Sequence, residues 1–255
     1  MTHRILILGG TTEARQLAGK LAARADFTIM LSLAGRTGSP VAQGVPIRSG
    51  GFGGADGLAG YLKETGTDVL IDATHPYAAR ISANAAAAAR MSGVPILALR
   101  RPGWEPVDGD RWLEADSVPE AIQALGDVPR RVFLALGRQE VAAFEAAPQH
   151  HYLIRSVDPV EPGLAVPDAE YLLARGPFRE PDERALLQEH RIDLVVSKNS
   201  GGDATYGKIA AARALGIEVV MVRRPDLPEV PSAETVDALA AMVVHVFEPD
   251  AERGV

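Results

Sequence analysis

The chain contains two copies of one pattern of strands, turns and helices. Residues 68–102 and residues 193–225 each read as an apolar strand, a polar turn, an Ala-rich helix, a glycine near the helix end, a second apolar strand and Arg-Arg-Pro. The preceding segments also match, since Arg4–Gly10 aligns with Arg131–Gly137. Alternating strands and helices predict a parallel, doubly wound sheet. The repeat therefore predicts an α/β fold with two tandem Rossmann-like domains and an active-site crevice between them.

The repeat also predicts where the domains meet. We expect an N-terminal domain over residues 1–102 and a C-terminal domain over residues 103–255. A chain of 255 residues is long enough for two domains of ordinary size. Its 47% hydrophobic and 23% charged residues are typical of a globular protein.

Composition argues against several classes of protein. No stretch approaches the ~18 uninterrupted apolar residues of a membrane span, and no export signal is recognisable. The chain has no cysteine, which excludes disulfides, thiolate metal ligands and a cysteine nucleophile. A net charge of −7 argues against nucleic-acid binding. We expect a cytoplasmic protein with no membrane or nucleic-acid partner, and a monomer because two domains already form a closed site.

The first turn of the chain has the features of a dinucleotide site. The strand ending at Leu8 is followed by Gly9, Gly10, Thr11 and Thr12, and then by a helical pattern. Glycine lets the backbone approach a pyrophosphate, and a helix N-terminus offers N–H groups and a positive dipole. The turn is not a full G-x-G-x-x-G motif. A tight strand–helix turn with capping threonines remains the alternative.

The end of the second strand indicates which nucleotide would bind. NAD sites usually place Asp or Glu there to hold the ribose hydroxyls. This chain instead has Arg36 and Thr37 after Ser32-Leu33-Ala34-Gly35. A guanidinium can bind a 2′-phosphate in bidentate fashion, so NADPH is the expected cofactor. The alternative is that Arg36 is an ordinary solvated loop residue.

Two further polar turns follow strands in equivalent places of the repeat. In the first copy, Asp72 is followed by His75 and Tyr77, which can donate a proton or stack on a flat ligand. His75 can equally be a helix cap, and Asp72 can simply orient the loop.

In the second copy the equivalent turn carries polar groups that suit carboxylates or phosphates. These are Lys198, Asn199, Ser200, Gly201 and Gly202. Arg138 follows the glycine that aligns with Gly10, so the second unit is expected to hold an acidic ligand instead of a dinucleotide.

Other common enzyme signatures are missing from the sequence. It has no Tyr-x-x-x-Lys pair, no Gly-x-Ser-x-Gly elbow and no Walker A loop. The six histidines show no metal-ligand spacing, so we expect no metal site.

With these turns in view, the sequence resembles the precorrin-6A reductase family of cobalamin biosynthesis. The segments that carry the resemblance run through nearly the whole chain: Gly9–Arg15, Leu33–Thr37, Gly50–Gly54, Asp72–Ala78, Arg101–Trp104, Gly176–Phe178 and Ser197–Gly202. The resemblance implies an NADPH-dependent oxidoreductase that reduces one double bond of the precorrin-6A macrocycle to give precorrin-6B. The cobalt-containing substrate is the close variant, and a non-catalytic NADP-binding sensor is the alternative from another class.

The resemblance also implies roles for these residues. NADPH would lie on the Gly9–Thr12 turn with Arg36 and Thr37 at its 2′-phosphate, and Gly51, Phe52 and Gly53 would approach the nicotinamide. The tetrapyrrole carboxylates would meet Arg138 and the Lys198–Gly202 turn in the C-terminal domain. His75, Tyr77 and Lys198 are the candidate catalytic residues. The substrate's own nitrogens and carboxylates are an alternative proton source, in which case catalysis is mainly positioning and electrostatics.

Overall fold

The computed structural model describes residues 2–35 and 44–248. It separates into two compact units. The first contains the described residues up to Arg101 together with those from Pro225 onward, and the second runs Pro102–Arg224. Each unit is built around one parallel sheet of six strands.

The first unit contains six strands and four helices among its described residues. In chain order these are β1 (His3–Leu8), α1 (Thr12–Ala22), β2 (Phe27–Leu33), β3 (Ile47–Ser49), α2 (Ala55–Thr65), β4 (Val69–Asp72), α3 (Ala79–Ser92), β5 (Ile96–Leu99), β12 (Ser232–Ala233) and α8 (Val236–Phe247). The strand order is β12-β5-β4-β1-β2-β3, and all the pairings are parallel.

The central strand β1 shows why this sheet is covered on both faces. Ile5 and Ile7 pack in a cluster with α1 and α8, whereas Leu6 and Leu8 pack in a second cluster with α2 and α3. Successive side chains of a strand point to opposite faces, so an uninterrupted apolar run needs a helical layer on each side. Burying one such side chain contributes about 1.5–3 kcal/mol.

The second unit repeats this arrangement. Its elements are β6 (Trp112–Ala115), α4 (Val118–Ala124), β7 (Arg131–Ala135), α5 (Arg138–Val141) with a 3₁₀ turn (Ala142–Ala146), β8 (His151–Ser156), β9 (Ala169–Leu173), α6 (Glu180–Glu189), β10 (Leu194–Lys198), α7 (Gly207–Leu215) and β11 (Glu218–Val222). The order β6-β11-β10-β7-β8-β9 matches the first sheet strand for strand, which confirms the predicted tandem doubly wound fold.

The sixth strand of each sheet comes from an unexpected part of the chain. β6 follows the first unit in sequence but pairs with β11, and β12 follows the second unit but pairs with β5. Residues 225–248 therefore lie in the first unit, whereas we expected a C-terminal domain over residues 103–255. The physical reason is that β5 has an open edge, and α8 supplies apolar side chains to the α1 face.

Local signals define several helix ends. The side chains of Thr11, Ser117 and Thr235 each accept a backbone N–H three residues on, which caps α1, α4 and α8. Gly93 and Gly216 end α3 and α7 in the left-handed conformation. α3 begins at Ala79, three residues after Pro76.

No helix in residues 2–35 and 44–248 is long and apolar enough to cross a membrane.

Candidate functional site

A pocket of about 460 Å³ opens at the carboxyl ends of the first sheet's strands. Its lining combines strand ends, the glycine-rich loop before α2 and the first turns of α3: Leu8, Gly9, Ser32, Ala34, Gly50, Gly51, Phe52, Gly53, Gly54, Leu58, Thr74, Arg80, Ile81 and Asn84. Ligands of doubly wound sheets bind at this edge, where the strand order reverses. A volume in this range is typical of small-molecule sites.

The turn after β1 is built for close approach of the backbone. A Cβ placed on Gly9 would lie 2.7 Å from Leu31 Cδ1, so glycine keeps the turn tight against β2. Gly10 has φ of +114°, a conformation that other residues rarely adopt. Gly9 lines the pocket, whereas Gly10, Thr11 and Thr12 are not among its lining residues within the described chain.

Thr11 has two structural bonds. Its Oγ1 accepts from the Ala14 N–H at 3.0 Å and donates to the Ala73 carbonyl at 3.1 Å, so it caps α1 and ties it to the end of β4. The capping alternative that the sequence left open is therefore what the Thr11 side chain does.

Of the remaining predicted cofactor residues, Gly51, Phe52 and Gly53 line the pocket. Phe52 packs edge-on against Tyr61 with ring centres 5.1 Å apart. Arg36 and Thr37 lie outside the described residues. The pocket also contains Arg80 and Asn84, one turn apart on α3, which sequence reasoning missed. Their signal was the i, i+4 spacing of two polar residues in an Ala-rich helix after a strand end.

Asp72 at the end of β4 is a buried carboxylate with fixed partners. Its Oδ2 lies 2.7 Å from Arg100 Nη2, and its Oδ1 accepts from Thr74 Oγ1 at 2.7 Å and from the Thr74 N–H at 3.2 Å. Burial by itself raises the pKa of this carboxyl, but the charge of Arg100 and the hydrogen bonds outweigh it and hold the pKa below its usual value. Asp72 is thus an ionised residue that orients the turn leading to His75.

His75 and Tyr77 lie side by side in that turn. Their ring centres are 5.6 Å apart, and the Tyr77 N–H donates to His75 Nδ1 at 3.3 Å. Because Nδ1 accepts this bond, a neutral His75 ring carries its proton on Nε2. The structure therefore brings the two candidate proton donors together.

In the second unit, Lys198 and Arg138 lie at the carboxyl ends of adjacent strands, β10 and β7. The Lys198 ammonium forms an ion pair with Glu140, whose other carboxylate oxygen accepts from the Gly137 N–H at 3.0 Å. Arg138 Nη1 donates to the Pro159 carbonyl at 3.4 Å. Two cations of the predicted substrate set thus follow adjacent strands at the same edge of the sheet.

The Asn199 side chain also has a structural role, which the sequence did not indicate. Its Oδ1 accepts from the Trp104 N–H at 2.7 Å and its Nδ2 donates to the Trp104 carbonyl at 2.8 Å. The Trp104 indole N–H donates to the Gly202 carbonyl at 2.9 Å. The amide of Asn199 therefore anchors Trp104, and Trp104 in turn fixes the turn that contains Ser200.

Gly201 is required by its surroundings. It has φ of +67°, and a Cβ there would lie 2.1 Å from the Pro102 carbonyl oxygen. Arg224 donates from Nε to the Asn199 carbonyl at 2.8 Å and from Nη2 to the Pro102 carbonyl at 3.0 Å. The repeated Arg-Arg-Pro motif thus helps to hold this turn.

A buried charged cluster lies behind the turn. Arg155 forms a bidentate pair with Glu183 and stacks on Phe178, whose ring centre is 3.7 Å from the guanidinium carbon. Lys208 Nζ donates to the Thr205 carbonyl at 2.7 Å and lies 4.9 Å from the Trp104 ring centre. Burial first, and then the charge of Arg155, lower the pKa of Lys208 to about 7.

No group of three or more acidic or histidine side chains is placed to hold a metal ion within the described ranges. The fold and the pocket together define a Rossmann-like α/β protein with two doubly wound units in one chain.

Comparison with known proteins identifies the family. A family model described as precorrin-6x reductase CbiJ/CobK matches residues 4–244. The chain therefore belongs to the precorrin-6x reductase family, whose members are oxidoreductases of cobalamin biosynthesis. This confirms the resemblance seen in the sequence and favours an enzyme over a non-catalytic sensor.

Individual relatives agree with this assignment. The precorrin-6A reductase of a Sinorhizobium species is 59% identical over 246 residues, covering 96% of this chain and 94% of the relative. The solved structure of CobK precorrin-6A reductase has a TM-score of 0.91 and 47% identity, with full coverage of both chains. The cobalt-precorrin-6A reductase of Salmonella typhimurium is 30% identical over 249 residues, covering 93% of each chain.

Proposed function

We propose that this protein catalyses the NADPH-dependent reduction of precorrin-6A to precorrin-6B. The observation that carries the proposal is the pocket at the carboxyl edge of the first sheet, lined by glycines from two separate turns, in a chain of this reductase family. In the balanced reaction NADPH supplies a hydride, a proton is taken up, and the macrocycle gains two hydrogens at one double bond.

The first unit would hold the cofactor. Gly9, Gly51 and Gly53 expose backbone to the pocket, and none of the described lining residues is acidic, which suits a ligand with phosphate groups. Arg80 is the one cation among the described lining residues. These features fit a dinucleotide, and Arg36 and Thr37 remain proposed contacts of the 2′-phosphate from the sequence.

The second unit would bind the tetrapyrrole. Its substrate carries several carboxylates, for which Arg138 and Lys198 supply positive charge and Ser200 a hydroxyl. Asn199, Gly201 and Gly202 would contribute by shaping the turn, since the Asn199 amide is bonded to Trp104. A charge-assisted hydrogen bond contributes about 1.5–3 kcal/mol, so these contacts would supply part of the roughly 8 kcal/mol that micromolar binding requires.

His75 and Tyr77 would position or deliver the proton. The Asp72–Arg100 pair fixes the start of their turn, and the bond from the Tyr77 N–H leaves Nε2 as the proton-bearing nitrogen of a neutral His75. Lys198 would favour hydride addition, because its positive charge stabilises the negative charge that the hydride brings to the substrate. The alternative remains that the substrate's own groups supply the proton.

Similarity favours the cobalt-free substrate. The relative named precorrin-6A reductase is 59% identical, whereas the one named cobalt-precorrin-6A reductase is 30% identical. The cytoplasmic location and the monomeric state stay predictions from the sequence.

The test is anaerobic incubation of the purified protein with precorrin-6A and NADPH, followed by the mass of the product. We expect a gain of two hydrogens with oxidation of NADPH and much slower turnover with NADH. Turnover of the cobalt-containing substrate alone would contradict the choice of substrate. Failure with both substrates, in protein shown to bind NADPH, would contradict the reaction itself.

Arg36→Glu tests the cofactor assignment. The change removes a phosphate contact and adds repulsion, so NADPH binding should fall far more than NADH binding. Equal losses would contradict the role of Arg36.

A further inference from the structure

One arginine side chain fixes three consecutive residues of the glycine-rich loop. Arg48 lies on β3, and its Nη1 donates to the Gly50 carbonyl at 2.6 Å while its Nη2 donates to the Gly51 carbonyl at 3.0 Å. The same guanidinium lies over the Phe52 ring, 3.8 Å from its centre. A planar fork that bonds two carbonyls and stacks on a ring is a combination that lysine does not reproduce.

These bonds determine which way the loop's N–H groups point. The C=O and the N–H of one trans peptide point in opposite directions. Because Arg48 binds the carbonyls of Gly50 and Gly51, the N–H groups of Gly51 and Phe52 are turned away from it. In residues 2–35 and 44–248, no acceptor exists for the N–H groups of Gly51, Phe52, Gly53 or Gly54. All four residues line the pocket, and successive N–H donors of this kind form an anion-binding concavity.

The loop lies beside the end of the second strand. The Gly50 N–H donates to the Leu33 carbonyl at 2.9 Å, and a Cβ on Gly35 would lie 3.5 Å from the Gly50 nitrogen. Ser32 and Ala34, at the end of β2, share the pocket with the loop. In doubly wound dinucleotide-binding domains this strand end meets the adenosine ribose. By this rule we expect the loop to lie beside the ribose 2′ group, whereas the sequence suggested the nicotinamide ring for it.

We propose that Arg48 is a positioning residue that holds the Gly50–Gly54 loop so that its backbone N–H groups bind the 2′-phosphate of NADPH. This inference rests on the proposed function. Arg48 acts through the loop, because both arms of its guanidinium bond loop carbonyls. The loop would complement Arg36, which follows Gly35 directly in the sequence.

The test compares the dissociation constants of NADPH and NADH for the wild type, Arg48→Lys and Arg48→Met. Arg24→Met is the matched control, because Arg24 also stacks on an aromatic ring (Phe27) and forms a bidentate pair (with Asp26), but precedes β2 at the end opposite the pocket. We expect Arg48→Met to raise the dissociation constant of NADPH about 10-fold or more and that of NADH about 2-fold or less. Arg48→Lys should give intermediate values. The kcat at saturating NADPH should be retained while its KM rises.

The probes 2′,5′-ADP and 5′-AMP separate the phosphate from the rest of the nucleotide. Arg48→Met should weaken the binding of 2′,5′-ADP and leave the binding of 5′-AMP nearly unchanged. Equal losses for both nucleotides would overturn the 2′-phosphate assignment, and no loss for either would overturn the positioning role. A similar loss in Arg24→Met would show a merely structural effect and overturn the inference. If the wild type itself bound no NADPH, the proposed function would fail first.

Discussion

Glu13 and Glu140 occupy equivalent positions in the two repeats, and each carboxylate is paired with a cation that lies at or just after the end of another strand of the same unit. Glu13 lies in the first turn of α1 and binds Arg101 at 2.7 Å, whereas Glu140 lies in the first turn of α5 and binds Lys198. A carboxylate in a first helical turn is favourable because it faces the positive end of the dipole. The carboxylate is thus present in both copies, but its partner differs. The partner is Arg101 in the first unit and Lys198, in the polar turn, in the second unit.

The first prediction concerns this lysine. Lys198→Met should raise the KM for precorrin-6A about 10- to 100-fold, because a charge-assisted contact worth about 1.5–3 kcal/mol is lost. Binding of NADPH, measured by fluorescence, should be unchanged, since the pocket lies in the first unit. Glu140→Gln is the control that keeps the cation and should have the smaller effect. Equal effects of both variants would indicate that the ion pair is only structural.

The second prediction uses two glycines of α2. A Cβ on Gly57 would lie 1.8 Å from the Phe52 carbonyl oxygen, whereas one on Gly60 would meet nothing within 4 Å. Gly57→Ala should therefore displace the loop and weaken NADPH about 10-fold or more. Gly60→Ala should leave binding unchanged and stabilise the protein by about 0.5–1 kcal/mol through helix propensity. Calorimetric titration with NADPH measures the affinity, and thermal unfolding measures the stability. If Gly57→Ala bound NADPH as tightly as the wild type, the loop would have no role in binding.

The third prediction compares Gly201 with Gly216. Both have φ near +68°, but only at Gly201 would a Cβ meet backbone, 2.1 Å from the Pro102 carbonyl oxygen. Gly216→Ala should cost about 1 kcal/mol of unfolding free energy and leave turnover intact. Gly201→Ala should cost more and raise the KM for the tetrapyrrole. Urea unfolding measures the loss of stability, and steady-state kinetics measure the KM for the tetrapyrrole. Equal stability losses and equal KM values in the two variants would contradict the prediction.

The fourth prediction is a pH dependence that comes from Lys208. The unfolded chain binds its proton up to a pKa near 10.5, whereas the folded protein releases it at a pKa of about 7. The stability contribution of this group is therefore greatest above pH 10.5 and falls as the pH drops towards 7, by about 1.4 kcal/mol per pH unit. Lys208→Met should remove that slope, measured by urea unfolding between pH 7.5 and 9.5. Lys63→Met, which alters an exposed lysine of α2, is the control and should keep the slope of unfolding free energy against pH. An unchanged slope in Lys208→Met would show that Lys208 is not its source.

The fifth prediction concerns the proton source. If catalysis is mainly positioning, His75→Ala and Tyr77→Phe should each lower kcat by less than about 1000-fold with NADPH affinity intact, because general acid catalysis contributes about 10²–10⁴-fold. Single-turnover kinetics at saturating cofactor measure this. Larger losses, with a pH–rate profile that loses one limb, would instead assign the proton donor to the altered residue.

Local signals in the sequence were sufficient for much of this protein. The apolar runs and the turns between them predicted the tandem doubly wound sheets. Gly9 and the Gly51–Gly53 loop were placed at the pocket that the structure contains. These signals are readable because strand burial, backbone conformation and helix capping depend on residues a few positions apart.

The partners of particular side chains were decided by tertiary structure. Thr11 caps α1, and Asn199 bonds Trp104, a residue 95 positions away. The role of Arg48 was not predicted, because the residues next to it in sequence do not indicate that its side chain bonds the carbonyls of the loop that follows β3. Each of these side chains offers donors or acceptors that several partners can satisfy, and only the folded chain selects one.

The repeat, the parallel sheets and the family could be predicted from the amino-acid sequence, because they follow from periodicity and short motifs. The pairing of β12 and α8 with the first unit, and of β6 with the second, is visible only in the folded chain. A short strand at the end of a repeat can pair with either open sheet edge while keeping its local pattern. Which edge the strand joins depends on which sheet edge is unpaired and which apolar helix face is left exposed. Both are determined by residues that are distant in the chain.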